Sequence, residues 1–223
     1  MGANSEGLIR FALPSRLARH AVPSRATMVT MPLYAILLTL CAPADAGVAK
    51  LAPDQEAQLA AGEVLLLDRT SAKPGGVSVE GVADVPASAD AIWRALLDFK
   101  ARLAGNSSVK SFAYYKPSTA TEQWGVWEVA HFGVSVRYHN HYLLDRAGGV
   151  LIHELDLAEQ NDLTWSRGTY TLGPSPNNAS WQRLSYVVDT DFGAAIPGFI
   201  KSWLCGSGVR DYMSELVTRA AAA

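Results

Sequence analysis

Two hydrophobic periods alternate along this chain. In residues 77–85, Val77, Val79 and Gly81 alternate with polar positions, the period of a strand. Pro86 ends the run, and Ser88 is a good N-cap for a helix over 89–99, in which Ile92, Trp93, Leu96 and Phe99 share one face. Residues 102–108 read as a polar connection containing Gly105 and Asn106. Six strand-like runs bounded by turn residues follow, at 109–116, 123–131, 134–144, 149–155, 163–172 and 180–189. Short connections between runs of this length predict an antiparallel meander. In residues 197–221 the period returns to that of a helix, carried by Phe199, Ile200, Trp203, Leu204, Tyr212, Leu216 and Val217. Gly206 and Gly208 should loosen or bend it. Upstream, residues 51–62 predict a short helix with Pro53, Asp54 and Glu56 at its start and Gly62 at its C-cap. A strand at 63–68 and a loop at 70–76 come next.

This order predicts an α+β architecture: a curved antiparallel sheet of about seven strands wrapped on a long C-terminal helix. One amphipathic helix can cross the concave apolar face of such a sheet without filling it, and the remainder is a cavity.

The first 46 residues follow a different logic. Arg10, Arg16, Arg19 and Arg25 precede an uncharged apolar run from Met28 to Cys41, and Ala44 and Ala46 stand at the -3 and -1 positions before Gly47. That is the pattern of a cleaved secretory signal peptide, and the run is short for a membrane span. A buried N-terminal helix or a membrane anchor is the alternative. Translation from Met28 or Met31 would shorten the basic lead, and Leu38-Thr-Leu-Cys41 resembles a lipobox except for the Leu before Cys41. The expected division is a signal peptide at 1–46, a helix-strand extension at 47–76 and a main domain at 77–221. Localisation would be periplasmic or secreted.

Charge changes once this segment is set apart. The whole chain of 223 residues has 19 basic and 21 acidic side chains, a formal net charge of -2. Four arginines and two acids lie in the first 46 residues, so 15 basic and 19 acidic groups remain, a net charge of -4. With no dense cationic block, a nucleic-acid partner is excluded. Cys205 is then the one cysteine left, so no internal disulfide is available and a hydrophobic core must hold the fold.

The stretch Glu80-Gly-Val-Ala-Asp-Val-Pro-Ala-Ser-Ala-Asp-Ala-Ile-Trp-Arg-Ala-Leu-Leu-Asp-Phe99 resembles the opening strand, turn and helix of the START-like (SRPBCC, helix-grip) superfamily. That superfamily groups polyketide cyclases, lipid-transfer domains and coenzyme Q-binding proteins. Arg167-Gly-Thr-Tyr-Thr-Leu-Gly-Pro174, Leu184-Ser-Tyr-Val-Val-Asp189 and the helix from Pro197 extend the resemblance over roughly residues 77–220. It implies a helix-grip fold whose members typically bind an apolar small molecule between sheet and C-terminal helix, many of them without catalysis. These motifs specify the fold well and the ligand hardly at all.

Several side chains are candidates for lining such a cavity. Trp93, Trp124, Trp127, Tyr138, Tyr170, Tyr186, Phe199 and Trp203 offer apolar wall with a few hydroxyl anchors. Glu128 and Arg167 would orient a head group or act in acid/base chemistry if they point inward; otherwise they sit on an exposed strand face. His139 and His141 share one strand face with Arg137, opposite Val136, Tyr138, Asn140 and Tyr142. A His-x-His pair could chelate a metal with Glu128 or His153, but the like charge of Arg137 argues for a solvent-facing side. Cys205 lacks a local catalytic pattern and reads as a small buried apolar residue. Phosphate-binding glycine loops are absent, and no cofactor or metal is expected. Three functional classes remain: an exported domain binding a lipid, isoprenoid or quinone-like molecule, with transient membrane contact compatible; a cyclase/dehydratase- or hydrolase-type enzyme; and a non-catalytic envelope interaction protein.

Overall fold

The computed structural model describes residues 50–194 and 196–223, so the expected signal peptide and Cys41 lie outside the described residues. Helix α1 (Pro53–Ala60) and strand β1 (Leu65–Arg69) lead into β2 (Val77–Val85), α2 (Ala89–Leu97) and α3 (Phe99–Gly105). Strands β3 (Val109–Tyr114), β4 (Glu122–His131), β5 (Val134–Asp145), β6 (Val150–Leu155), β7 (Trp165–Pro174) and β8 (Gln182–Asp191) follow, then α4 (Gly198–Cys205) and α5 (Ser207–Ala221). The strands form one antiparallel sheet in the order β1-β2-β8-β7-β6-β5-β4-β3. The meander from β3 to β8 is thus closed by β2 on β8, the one non-sequential pairing of the sheet.

Eight strands replace the expected seven because β1 pairs with β2, Leu65 opposite Val82 and Arg69 opposite Ser78, and becomes the sheet's edge. A second difference lies after α2. Asp98 accepts a hydrogen bond from the Ala101 backbone N–H at 2.9 Å and starts a further helix where a polar connection was expected. The aspartate between two helices acts as a cap, which satisfies an otherwise unpaired N–H of the new first turn. Arg102 therefore rides on α3.

The predicted weak point in the C-terminal helix is a complete break: Gly206 has φ -114° and ψ -106°, and α5 starts afresh beyond it. Val209, Tyr212, Met213, Leu216 and Ala220 form the buried stripe of α5, at helical spacing. Met213 packs so close to Gly81 on β2 that an added Cβ would stand 3.1 Å from its Cγ. Glycine at 81 lets helix and sheet approach.

Alternation decides the rest. On β4, β5, β6, β7 and β8 the residues Trp127, Tyr142, Leu151, Tyr170 and Leu184 all belong to the main core cluster with Met213 and Leu216. The opposite face of β1 and β2 is covered by α1, with Leu59 packed on Leu65 and Val82. There Arg183 reaches Asp84 and Glu56, tying α1 to the sheet.

Candidate functional site

A cavity of about 130 Å³ lies between the inner face of the sheet and the helices α2 to α5. Its wall is built by strand parity. Trp127 and Val129 come from β4, Val136, Tyr138, Asn140 and Tyr142 from β5, Leu151 and His153 from β6, Ser166 and Tyr170 from β7, and Tyr186, Val188 and Thr190 from β8. Leu96, Phe99 and Arg102 close one side, and Trp203, Leu204, Cys205, Val209 and Tyr212 close the other. Among the described residues, the lining holds one arginine, one histidine and no carboxylate.

Polar groups in this wall are mostly paired with one another. The Trp127 indole N–H donates to the Tyr142 hydroxyl at 2.6 Å, and Asn140 Nδ2 donates to the same oxygen at 3.3 Å. His153 Nε2 lies 3.0 Å from the Tyr186 hydroxyl, and the Tyr170 hydroxyl donates to that of Tyr212 at 3.0 Å. Tyr170 and Tyr186 stack with ring centroids 4.1 Å apart. Two atoms stay orphaned: Asn140 Oδ1 and Arg102 Nε are buried without a hydrogen-bond partner. The Arg102 guanidinium lies 3.9 Å from the Tyr212 ring centre and 4.6 Å from that of Trp127.

His153 can sit here because its cross-strand neighbour is Gly168; any Cβ at that position would overlap the imidazole ring. Burial, aided by the charge of Arg102, drives its pKa down to about 3, so the ring is neutral. The linkage sign follows. The unfolded chain takes up a proton near pH 6.5 that the folded chain refuses, so this contribution to stability is full above that pH and is lost as pH falls toward 3. We expect His153→Gln, which can still hydrogen-bond Tyr186, to flatten the decline of unfolding free energy between pH 6.5 and 4.5 by about 1 kcal/mol per pH unit. Urea titrations across that window measure it; identical slopes would place an exposed imidazole at 153.

Burial also raises the tyrosines: Tyr186 and Tyr170 lie far above the ordinary phenol range and Tyr142 is raised too, so each is a neutral hydroxyl. Cys205 lines the cavity with its thiol pushed up to about 12 by burial, which leaves no thiolate for nucleophilic chemistry.

Five of the ten residues expected to line a site do so: Trp127, Tyr138, Tyr170, Tyr186 and Trp203. The structure places the other five elsewhere. Trp93 is packed in the core of α2 with Arg146 over its ring. Trp124 is on the outer face, stacked on His141 at 4.7 Å. Glu128 shares that face and accepts from Ser135 at 3.0 Å and Ser111 at 3.4 Å. Arg167 pairs with Glu154 across β6 and β7, one residue out of phase with Ser166 and Gly168 on the inner face. Phe199 projects to the surface of α4 at 54% exposure, beside Phe132. His141 pairs with Glu122 on the outer side. His139 also faces outward, yet it is buried under the segment carrying Asn161, which accepts from its backbone N–H at 2.7 Å. No cluster of three or more metal-ligating side chains occurs among the described residues.

The residues missed were Arg102, Asn140, Tyr142, His153 and Tyr212 as parts of one wall. For Asn140 and Tyr142 the signal was available in their shared parity with Tyr138. For Arg102 it was hidden by the reading of residues 102–108 as a connection.

No protein-family profile matches the chain, and no curated protein matches it by sequence. Solved structures do resemble it. A STAR-related lipid transfer protein from Xanthomonas axonopodis is 18% identical with a TM-score of 0.54, over 79% of this chain and 96% of that one. The ZhuI aromatase/cyclase from a Streptomyces species is 17% identical with a TM-score of 0.54, over 65% and 93% of the two chains. A START superfamily protein from Mycobacterium smegmatis is 18% identical with a TM-score of 0.51, over 64% and 96%. Identities this low speak to the fold and not to the ligand. The eight-stranded antiparallel sheet, the helices that close its inner face and these likenesses together give the chain the START-like, helix-grip (SRPBCC) fold.

Proposed function

We propose that this protein is an exported START-like domain that binds an apolar small molecule in the cavity between the sheet and the C-terminal helices. Residues 1–46 would be removed as a signal peptide, residues 47–76 would serve as an extension, and residues 77–221 would hold the ligand. The observation that carries the reading is the aromatic-walled cavity of about 130 Å³. A lipid-transfer protein and an aromatase/cyclase among the structural neighbours support it.

Size narrows the ligand. An apolar cavity of roughly 150 Å³ holds benzene, so the closed form takes a small aromatic of one or two rings or a short chain. A larger lipid or quinone requires α4 and α5 to part, and the break at Gly206 is where the backbone allows it. Burying on the order of 150 Å² of ligand at about 25 cal/mol per Å² yields about 4 kcal/mol, near millimolar affinity. Tighter binding needs a directed polar contact.

An enzymatic reading in the cyclase/dehydratase class would have to rest on His153 and Tyr186, the inward hydrogen-bonded pair. A general acid or base works best with its pKa near the operating pH. His153 near 3 and Tyr186 far above its usual range are poorly matched to that task, which favours binding over catalysis.

The test uses the full chain expressed with its own N-terminus in a bacterial host with a periplasm. We expect export, a mature N-terminus at Gly47, and either a co-purified apolar mass in native mass spectrometry or saturable quenching of tryptophan fluorescence by naphthalene. A ligand-free protein with no naphthalene binding overturns the reading.

A further inference from the structure

Arg102 is the one side chain in the cavity wall whose charge is left for something else to match. Among the described residues, the other partly or wholly buried arginines find carboxylates: Arg69 reaches Glu80, Arg167 reaches Glu154, Arg183 reaches Asp84 and Glu56, and Arg219 reaches Glu215. Arg102 has no ion pair among the described residues, its Nε is buried without an acceptor, and the wall around it contains no Asp or Glu. What holds it is aromatic: the rings of Tyr212 and Trp127 lie against the guanidinium. Stacking of this kind uses the faces of the group and leaves its N–H edge for an acceptor, and that edge matches the two oxygens of a carboxylate. Beside it the Tyr212 hydroxyl accepts from Tyr170, so its own hydrogen is available to the same acceptor.

An apolar cavity with one cation and no anion selects by charge as well as by size. A neutral ligand would leave the guanidinium without a counter-charge, and a cationic ligand would add a second one. Resting on the binding reading above, we infer that the ligand is a small apolar monocarboxylate whose head group pairs with Arg102 while its ring or chain occupies the space toward Tyr170, Tyr186 and Leu151.

The experiment is calorimetric titration of the mature protein with benzoate and octanoate, each against its neutral amide, benzamide and octanamide. The two acids separate an aryl from an alkyl ligand. We expect at least one acid to bind at least tenfold more tightly than its amide. In Arg102→Met that preference should fall to less than twofold while amide binding changes little. Arg102→Lys, which keeps the charge and loses the fork, should retain part of the preference and guards against a failure of the Met variant to fold. Amide and naphthalene binding without an acid preference, or a preference that survives Arg102→Met, overturns the assignment and leaves the binding reading standing. Binding of none of the probes overturns both.

Discussion

Arg183→Met should lower the unfolding free energy by about 3–5 kcal/mol at neutral pH, the range for breaking a buried ion pair from one side. Arg183 stands opposite Asp84 in the β2–β8 pairing, and their side chains are 5% and 0% exposed. Its Nε and Nη2 donate to the two Asp84 oxygens at 2.8 and 3.1 Å, and Nη1 and Nη2 donate to those of Glu56 at 2.8 and 2.6 Å. One planar fork thus bridges two carboxylates, a geometry that lysine cannot reproduce. Removing it strands Asp84 in a dry site with the donors of Asn177 and Ser175 alone.

The pH dependence tests the mechanism. In the native protein burial would raise the Asp84 pKa, but hydrogen bonds from Arg183, Asn177 and Ser175 outweigh it and hold the carboxyl below its usual value. Glu56 is lowered chiefly by its hydrogen bonds with Arg183. Their stabilisation is therefore present above about pH 4.5 and disappears as pH falls through the lowered native values. Without Arg183, burial wins and Asp84 gains by taking a proton. The gap between variant and native protein should be widest at pH 7 and shrink below about pH 4. Denaturant unfolding at pH 7 and pH 3.5 checks this; a constant gap would mean lost packing rather than lost charge. Naphthalene binding should survive wherever the variant is folded, because the cluster lies on the face of the sheet away from the cavity.

How much of this was legible beforehand follows from what periodicity can encode. A period of two marks strands and also says which residues share a face, so the inward set of β5 (Val136, Tyr138, Asn140, Tyr142) was readable as a set. The same rule separates the site candidates from one another. Trp124 and Glu128 differ in parity from Trp127, and Arg167 differs from Tyr170, so neither group could line one cavity together. Aromatic character and charge do not say which face a strand residue takes, whereas parity does.

Other features lay beyond a pattern reading. Nothing in residues 65–69 states that they pair with β2, since edge pairing depends on where the chain returns in space. Residues 98–105 read as the end of one helix and a loop because the short helix they form gains its stability from Phe99 in the core and an aspartate cap. That miss hid Arg102, whose meaning exists only in three dimensions, as a cation among aromatic rings with no carboxylate in reach. The fold was written in alternation, whereas the site's polarity was written in contacts between residues far apart in the chain.

Trp127→Ala should cost about 3–5 kcal/mol and on the order of 10 °C in melting temperature. Trp127 is 1% exposed and sits where four constraints meet. Phe99 meets its ring edge-on at 5.5 Å, Phe112 packs at 4.5 Å, its N–H donates to Tyr142, and Arg102 rests on its face. Truncation to alanine opens a void and takes the shorter of two donors from the Tyr142 hydroxyl, leaving that of Asn140. It also removes one of the two rings that steady Arg102. Trp127→Phe separates these effects: it keeps a ring against Phe99 and loses mainly the hydrogen bond, which should cost about 1–2 kcal/mol. The functional consequence differs from the structural one. Added volume should leave naphthalene binding intact or strengthen it, whereas the benzoate preference over benzamide should weaken in Trp127→Ala and persist in Trp127→Phe. Thermal melts and the paired titrations read both. Loss of acid and amide binding to the same degree in a folded Trp127→Ala protein would show that the tryptophan shapes the cavity without positioning the arginine.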